Sequence, residues 1–229
     1  YDPIDPAADS DEAASELRFE ARPLSGKLDP ATAGLLTFDA DGDGRPDLLA
    51  WSSGGAFLYL EGVQAVKDAA LAALKGVTSA VAGDFDNDGL ADLCFTTEAG
   101  AVLLRNEKGR FRKVDTALPS GRFEKAIWLD YDHDNDLDLF LLGSRSALMR
   151  NQGTAGFADR TSGFPFVAGH AIDAVTLRLV PDTKAQDLVV TYAGANAVLY
   201  RDRLGGVYEA VPLPDVPAGA RGLAAADID

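Results

Sequence analysis

The chain has 229 residues, of which 47% are hydrophobic and 25% are charged. This composition supports a packed core and excludes a disordered acidic tail. The formal net charge is −15 and no basic stripe interrupts it, so we expect no nucleic-acid partner. No signal-peptide pattern or bilayer-spanning apolar run is present, so we also expect no membrane insertion.

The first 16 residues are acidic and contain two prolines, which predicts a linker or the end of a preceding domain. Residues 17–22, Leu-Arg-Phe-Glu-Ala-Arg, then resemble an outer β-strand. We therefore divide the chain into an acidic linker over residues 1–16 and a repeat region over residues 17–229. Because the chain begins with Tyr1 rather than Met, we expect a mature or excised piece.

Three acidic loops of one design follow, each between two apolar runs. Every loop has carboxylates at its first, third, fifth and ninth positions: Asp39, Asp41, Asp43 and Asp47; Asp84, Asp86, Asp88 and Asp92; Asp130, Asp132, Asp134 and Asp138. Carboxylates this close repel one another unless a cation lies among them. Ca²⁺ accepts six to eight oxygen ligands in a flexible geometry, so the loops predict about three calcium sites. Three matched copies favour this interpretation over ordinary solvated turns.

The rest of each loop separates this design from an EF-hand. The sixth position, where a positive φ is convenient, holds Gly44, Gly89 and Asn135. An EF-hand needs a bidentate Glu at position twelve and a helix on each side. Position twelve here is apolar in every copy: Ala50, Phe95 and Leu141. The flanking segments are short apolar runs typical of buried strands, so a helical calcium-binding motif is rejected.

The loops recur with a period that predicts the fold. Asp39 and Asp84 are 45 residues apart, and Asp84 and Asp130 are 46 apart. A period in the forties is typical of a propeller blade of four strands, so we predict an all-β fold. We place blades at about residues 31–76, 77–118, 122–165 and 170–213, with the start of another at 221–229. Within the first blade, helical spacing over residues 62–76 predicts a short helix in place of the outer strand.

The fourth unit keeps the strand pattern and loses the metal loop, because only Asp182 and Asp187 remain there. We therefore predict no strong calcium site in it. The unpaired outer strand at the start and inner strand at the end favour a section of a larger propeller. A closed ring of four blades is the alternative, since a propeller must close to hide its sheet edges.

The combined pattern resembles a known repeat family. In the second and third units the metal loop is followed by a strand, a Leu-x-Arg-Asn strand end, a Gly turn and a short strand that begins with Phe, as in FG-GAP/VCBS repeats of integrin α-like propellers. The Asp-Phe-Asp-Asn-Asp-Gly and Asp-Tyr-Asp-His-Asp-Asn variants are most similar to bacterial ASPIC/UnbV-associated members and to cartilage acidic protein. This resemblance implies that the carboxylates at positions one, three, five and nine bind calcium. It also implies main-chain carbonyl ligands at position seven: Arg45, Leu90 and Asp136.

Three functional hypotheses remain open. The first is a calcium-stabilised interaction module of a secreted, periplasmic or cell-surface protein, whose partner is a protein or a glycan. The second is a polysaccharide-active lyase or hydrolase, although we name no catalytic residue; His133 is expected to point to solvent, and His170 alone is a weak signal. The third is a lectin, although Trp51 and Trp128 lie on predicted strands and are expected in the core. The single cysteine, Cys94, is expected to be a small buried hydrophobe.

Overall fold

The computed structural model describes residues 20–180 and 183–225, and it consists of four consecutive four-stranded sheets. We call the sheets blades 1 to 4. Blade 1 contains β1 (Gly34–Phe38), β2 (Asp47–Ser52), β3 (Gly55–Leu60) and β4 (Gln64–Val66). Blade 2 contains β5 (Val77–Gly83), β6 (Asp92–Thr97), β7 (Ala101–Asn106) and β8 (Phe111–Lys113).

Blades 3 and 4 repeat this arrangement. Blade 3 contains β9 (Lys125–Leu129), β10 (Asp138–Leu142), β11 (Ala147–Asn151) and β12 (Phe157–Asp159). Blade 4 contains β13 (Ala171–Leu177), β14 (Asp187–Tyr192), β15 (Ala197–Asp202) and β16 (Tyr208–Leu213). Within every blade each strand pairs antiparallel with the next strand in the chain. The prediction of an all-β fold with four-stranded blades is confirmed.

The antiparallel order gives each blade two distinct ends. Turns after the first and third strands lie at one end, which we call the loop face because the three acidic loops are there. Turns after the second and fourth strands lie at the opposite end. On that side, connecting segments cross the neighbouring hairpin, as where the Gly121 amide donates to the Ala99 carbonyl (2.9 Å).

The core lies between the blades, and this explains the continuous apolar runs of the second strands. In β10, Leu139 and Leu141 pack towards blade 2, whereas Phe140 and Leu142 pack towards blade 4. All four side chains are fully buried. Since successive side chains of a strand point to opposite faces, a strand covered on both faces must be apolar at every position.

The blades follow one another in an open row. Inner strands contact in the order β1, β5, β9 and β13. Among the described residues, β13 and β1 make no contact of comparable extent, as a closed ring of four blades would require. Both tryptophans and Cys94 are buried between blades, as expected from the sequence.

The prediction that a helix replaces the outer strand of blade 1 is wrong. β4 is present and pairs with β3, and the helix α1 (Ala69–Ala73) follows it. The outer strand needs only three residues, Gln64–Val66, and the helical spacing seen in the sequence comes from the segment that follows it. Asp68 caps α1 by accepting hydrogen bonds from the amides of Ala70 (2.9 Å) and Leu71 (3.0 Å).

Several sequence-based predictions concern the chain ends. The proposed linker over residues 1–16 lies outside the described residues, as do residues 17–19 of the first predicted strand; residues 20–22 are not strand. Residues 222–225 are not strand either, and 226–229 lie outside the described part. The amides of Gly222 and Leu223 donate to the carboxylate of Asp173 on β13. In the part of the chain that the structure covers, none of the helices has the length and apolar character to cross a bilayer.

Candidate metal-binding loops

The carboxylate at position one organises each turn. Asp39 accepts hydrogen bonds from the amides of Gly42 (2.8 Å) and Gly44 (2.8 Å). Asp84 accepts one from Gly89 (2.9 Å) and Asp130 one from Asn135 (3.1 Å). The residue at position six has a positive φ in every loop: 83° at Gly44, 89° at Gly89 and 72° at Asn135. The glycine and asparagine predicted there from the sequence are therefore required by the backbone.

The carboxylate at position nine joins the start of its loop to the end of the third strand. Asp92 accepts from the amides of Phe85 (3.2 Å) and Asn106 (2.7 Å), and Asp138 from those of Tyr131 (3.0 Å) and Asn151 (2.8 Å). In blade 1, Asp47 accepts from Ala40 (2.9 Å) and Glu61 (2.8 Å) in the same way. All three carboxylates are buried. Burial raises the pKa of Asp92 to about 6 and that of Asp138 to about 7, so their charged forms need compensation.

Blade 4 keeps this hydrogen-bonding arrangement. Asp187 accepts from the amides of Leu179 (3.2 Å) and Asp202 (2.9 Å) and is also buried. Asp182, the other acid predicted in that loop, lies outside the described residues. The position-nine aspartate therefore has a structural role that does not depend on a complete set of acidic residues.

Each of the three complete loops brings three carboxylates together. The groups have ligand atoms within 4.8 Å of one another and consist of Asp39, Asp41 and Asp43; Asp84, Asp86 and Asp92; and Asp130, Asp132 and Asp138. In blades 2 and 3 the group uses positions one, three and nine, whereas in blade 1 it uses positions one, three and five. The remaining predicted side-chain ligands, Asp47, Asp88 and Asp134, lie in the same loops but outside these groups.

Three carboxylate oxygens in these groups are buried and find no hydrogen-bond partner among the residues that the structure describes: Oδ1 of Asp86, Oδ1 of Asp130 and Oδ1 of Asp132. Buried polar atoms are nearly always hydrogen-bonded, so such oxygens need another partner. Burial, followed by the neighbouring position-five carboxylate, raises the pKa of Asp86 and of Asp132. A hard cation within the loop would satisfy these oxygens, and the residues present therefore fit calcium.

An arginine on the third strand compensates part of the charge in blades 2 and 3, which the sequence analysis did not predict. Arg105 Nε is 2.9 Å from Asp86 Oδ2, and its Nη2 is 3.0 Å from Asp88 Oδ2. Arg150 makes the matching contacts to Asp132 (2.7 Å) and Asp134 (3.0 Å). The strand register places Leu60 at the equivalent position of blade 1, which has no cation there.

The asparagine after each arginine links neighbouring blades. Asn106 Nδ2 donates to the carbonyl of Ala40 in the blade 1 loop (2.8 Å) and to that of Ala91 in its own loop (2.9 Å). Asn151 makes the corresponding bonds to the carbonyls of Phe85 (2.7 Å) and Leu137 (3.3 Å). In the sequence, the Leu-x-Arg-Asn strand end indicated only the repeat family. The contacts of its asparagine with the neighbouring blade become visible only in the folded structure.

The junction between blades 3 and 4 is linked by a different pair of residues, His133 and Asp202. The prediction that His133 points to solvent is therefore wrong. Asp202 stands where blades 2 and 3 have asparagine, and a carboxylate cannot donate to a carbonyl. His133 Nε2 instead lies 3.0 Å from Asp202 Oδ2, with only 11% of its side chain exposed. The histidine therefore crosses to the next blade rather than pointing to solvent.

The remaining predicted residues are the three at position seven of the loops and His170. The carbonyls of Arg45, Leu90 and Asp136 stay predicted ligands, and the side chain of Asp136 accepts a hydrogen bond from Asn87 Nδ2 (2.7 Å). His170 is on the face opposite the loops, where its Nε2 is 3.2 Å from Glu124 Oε1. The histidine is 44% exposed, so this pair is a surface contact.

Comparison with known proteins agrees with the repeat architecture. A family model described as an FG-GAP-like repeat matches residues 39–95 and 84–141. Among solved structures, a lectin from Agrocybe aegerita, described for its specific recognition of non-reducing terminal N-acetylglucosamine, is similar with a TM-score of 0.55 and 17% identity. The match covers 78% of this chain and 51% of that one, so this chain spans about half the length of the lectin.

At this level of identity the similarity shows the fold alone. No curated protein matches the chain. The matched residues 39–141 include the three acidic loops and all of blade 2. The chain thus contains FG-GAP-like repeats, folded as consecutive four-stranded blades of a β-propeller-like structure.

Proposed function

We propose that this chain is a calcium-stabilised propeller module that binds a partner molecule and forms a section of a larger propeller. The proposal is carried by the buried oxygens of Asp86, Asp130 and Asp132 that lack a hydrogen-bond partner within the described part of the chain. They belong to loops in which three carboxylates already lie within 4.8 Å of one another. When bound, calcium supplies positive charge and oxygen coordination there, and the loops act as structural braces.

Positions one, three, five and nine would supply side-chain ligands, and position seven would supply the carbonyls of Arg45, Leu90 and Asp136. The carboxylates already bind the loop's own amides, which fixes the loop before an ion arrives. Ca²⁺ tolerates six to eight oxygens in irregular arrangements, whereas Mg²⁺ requires a tight octahedron. We therefore propose calcium as the ion.

Calcium is abundant outside the cytosol, so we propose a secreted, periplasmic or cell-surface location. The loop variants support closer kinship with bacterial ASPIC/UnbV-associated proteins and cartilage acidic protein. We propose a protein or glycan as the partner. The similarity to a lectin favours glycan recognition as the second, more specific function. An enzymatic role has less support, since His170 only pairs with Glu124 at the surface.

Thermal melts in excess Ca²⁺, in chelator and in Mg²⁺ test the proposal. Ligand that binds only the folded state stabilises it by about 2.7 kcal/mol per site at 100-fold excess over the dissociation constant. We expect chelation to lower Tm clearly and Mg²⁺ to restore it poorly. Identical melting curves in all three solutions would show that the loops are ordinary acidic turns.

A further inference from the structure

A cleft of about 460 Å³ opens on the loop face between blades 2 and 3. Its walls come from the blade 2 loop, the end of β7, the segment around β8, the blade 3 loop and the turn between β11 and β12. The volume is within the range of small-molecule sites. The cleft lies beside the carboxylate groups and contains side chains that those groups do not use.

At the other two junctions, the turn after the third strand contacts the acidic loop of the preceding blade. Gly109, in the turn after β7, packs on the blade 1 loop, where an added Cβ would lie in ordinary contact with Asp41 Cβ at 3.5 Å. Gly206, after β15, packs on the blade 3 loop, where an added Cβ would be 3.2 Å from the Tyr131 ring. In blade 3, by contrast, an atom added at Gly153 would meet nothing within 4 Å.

The difference arises in the turn between β11 and β12. That turn contains a 3₁₀ segment, Gly153–Ala155, and an atom added at Gly156 would lie 3.3 Å from Thr116 Oγ1 of the segment after β8. The turn therefore packs towards the outer part of blade 2 and leaves space over Phe85 and Asn87. The corresponding turns at the other two junctions instead contact the loop of the preceding blade.

The charges around the cleft balance one another. Three acids (Asp86, Asp115 and Asp136) and three bases (Arg105, Arg112 and Lys113) line it. Asp86 pairs with Arg105, and Arg112 pairs with Glu107 (2.9 Å). Within residues 20–180 and 183–225, Lys113, Asp115 and Asp136 have no ion-pair partner. Asp136 accepts a hydrogen bond from Asn87 Nδ2 (2.7 Å), which leaves Lys113 as a donor and Asp115 as an acceptor without a side-chain partner. A simple anion would be repelled by three carboxylates and a simple cation by three basic groups, so the cleft favours neither.

The cleft also has an apolar wall. Phe85 stacks on Trp128, with ring centroids 6.1 Å apart, and contacts Phe157 at 6.0 Å. These rings hold Phe85 against the cleft, while Thr154 lies exposed at the turn. A rigid aromatic wall, separate donors and acceptors and no net charge suit a compact molecule that carries many hydroxyl groups and an apolar ring face.

We propose that the cleft between blades 2 and 3 binds a short neutral saccharide, with hydroxyl groups on Lys113 and Asp115 and the sugar ring near Phe85. This inference rests on the proposed function, because it names the ligand class of the proposed binding module. It also predicts one saccharide site in the described blades rather than one at each junction.

NMR titration of the calcium-loaded protein tests the site. The probes are N-acetylglucosamine, galactose and glucose, each at millimolar concentration, with glycine and inorganic phosphate as charged competitors of similar or smaller size. We expect at least one sugar to shift the amide signals of residues 112–115 and 153–154, and neither charged probe to do so. Binding of phosphate or glycine without any sugar, or sugar shifts confined to other blades, would overturn the proposal.

Two variants, each with a matched control, link the signal to the cleft. Thr154→Trp should fill the opening and abolish the shifts, whereas Ser144→Trp, at the opposite end of blade 3, should not. Asp115→Asn should weaken binding about tenfold, the equivalent of 1.4 kcal/mol, whereas the exposed Asp215→Asn should leave it unchanged. Sugar binding that survives Thr154→Trp would contradict the assignment. Calcium-dependent melting in the same samples separates failure of the cleft from failure of the module.

Discussion

The loop of blade 1 and the loops of blades 2 and 3 have the same acids at the same positions but compensate their charge differently. In blades 2 and 3 an arginine from the third strand bridges positions three and five, and the buried position-nine aspartate belongs to the carboxylate group. In blade 1 the position of that arginine is occupied by Leu60. The carboxylate group there consists of the more exposed Asp39, Asp41 and Asp43. If the loops bind calcium as proposed, we expect the blade 1 loop to depend on it more than the loops of blades 2 and 3.

The largest effect should follow removal of a position-nine carboxylate. Asp138→Ala leaves the buried amides of Tyr131 and Asn151 without an acceptor. Since each unpaired buried donor costs roughly 1–3 kcal/mol, we expect a loss of roughly 2–5 kcal/mol in the free energy of unfolding. Denaturant melts in chelator measure this loss without a contribution from calcium.

Asp187→Ala tests whether that role is independent of the metal. Blade 4 lacks a complete acidic loop, yet Asp187 accepts the equivalent two amides. We expect a loss similar to that of Asp138→Ala in chelator, and a change below about 0.5 kcal/mol for the exposed control Asp215→Ala. A negligible loss in Asp187→Ala would limit the role of the position-nine carboxylate to metal binding.

A smaller effect is expected at the junction between blades. Asn151→Asp replaces an amide donor with a carboxylate that faces the carbonyls of Phe85 and Leu137, so we expect a loss of about 2–3 kcal/mol. Asn151→Ala removes the donor without adding charge and should cost less. Equal unfolding free energies for the two variants would show that repulsion from the carbonyls is unimportant.

The smallest effect concerns the arginines themselves. Arg105→Leu places in blade 2 the residue type that blade 1 has at the equivalent position, Leu60. The ion pairs of Arg105 with Asp86 and Asp88 are partly exposed, so we expect the free energy of unfolding in chelator to fall by about 0.5–1 kcal/mol. The variant should gain more Tm from calcium than the unchanged protein, because the ion no longer competes with a guanidinium. Leu60→Arg should reduce the calcium dependence of the blade 1 loop. A calcium response that is unaltered by both substitutions would remove the distinction between the loops.

The repeat period and the apolar runs were sufficient to predict four-stranded blades, because each blade is formed by consecutive residues. The acidic spacing likewise identified the loops and the residues at position six. The hydrogen bonds between neighbouring blades, by contrast, were not predicted from the sequence. Asn106 and Ala40 are 66 residues apart, and nothing in either local pattern indicates that they meet.

His133 shows the same limit. Its loop position suggested exposure, but its partner Asp202 belongs to the next blade. The departure of Asp202 from the Leu-x-Arg-Asn pattern was the available signal, since a carboxylate at a junction that elsewhere needs a donor requires a new partner. The helix α1 was located but misassigned, because three residues of outer strand are too few to stand out beside helical spacing.

An anomalous difference map from crystals grown with saturating calcium would locate the proposed ions themselves. We predict one calcium peak in each of the loops of blades 1, 2 and 3, about 2.3–2.6 Å from carboxylate oxygens that include those of Asp86 and Asp132. Well-ordered loops without any anomalous peak, with Arg105 and Arg150 still paired to their carboxylates, would contradict it.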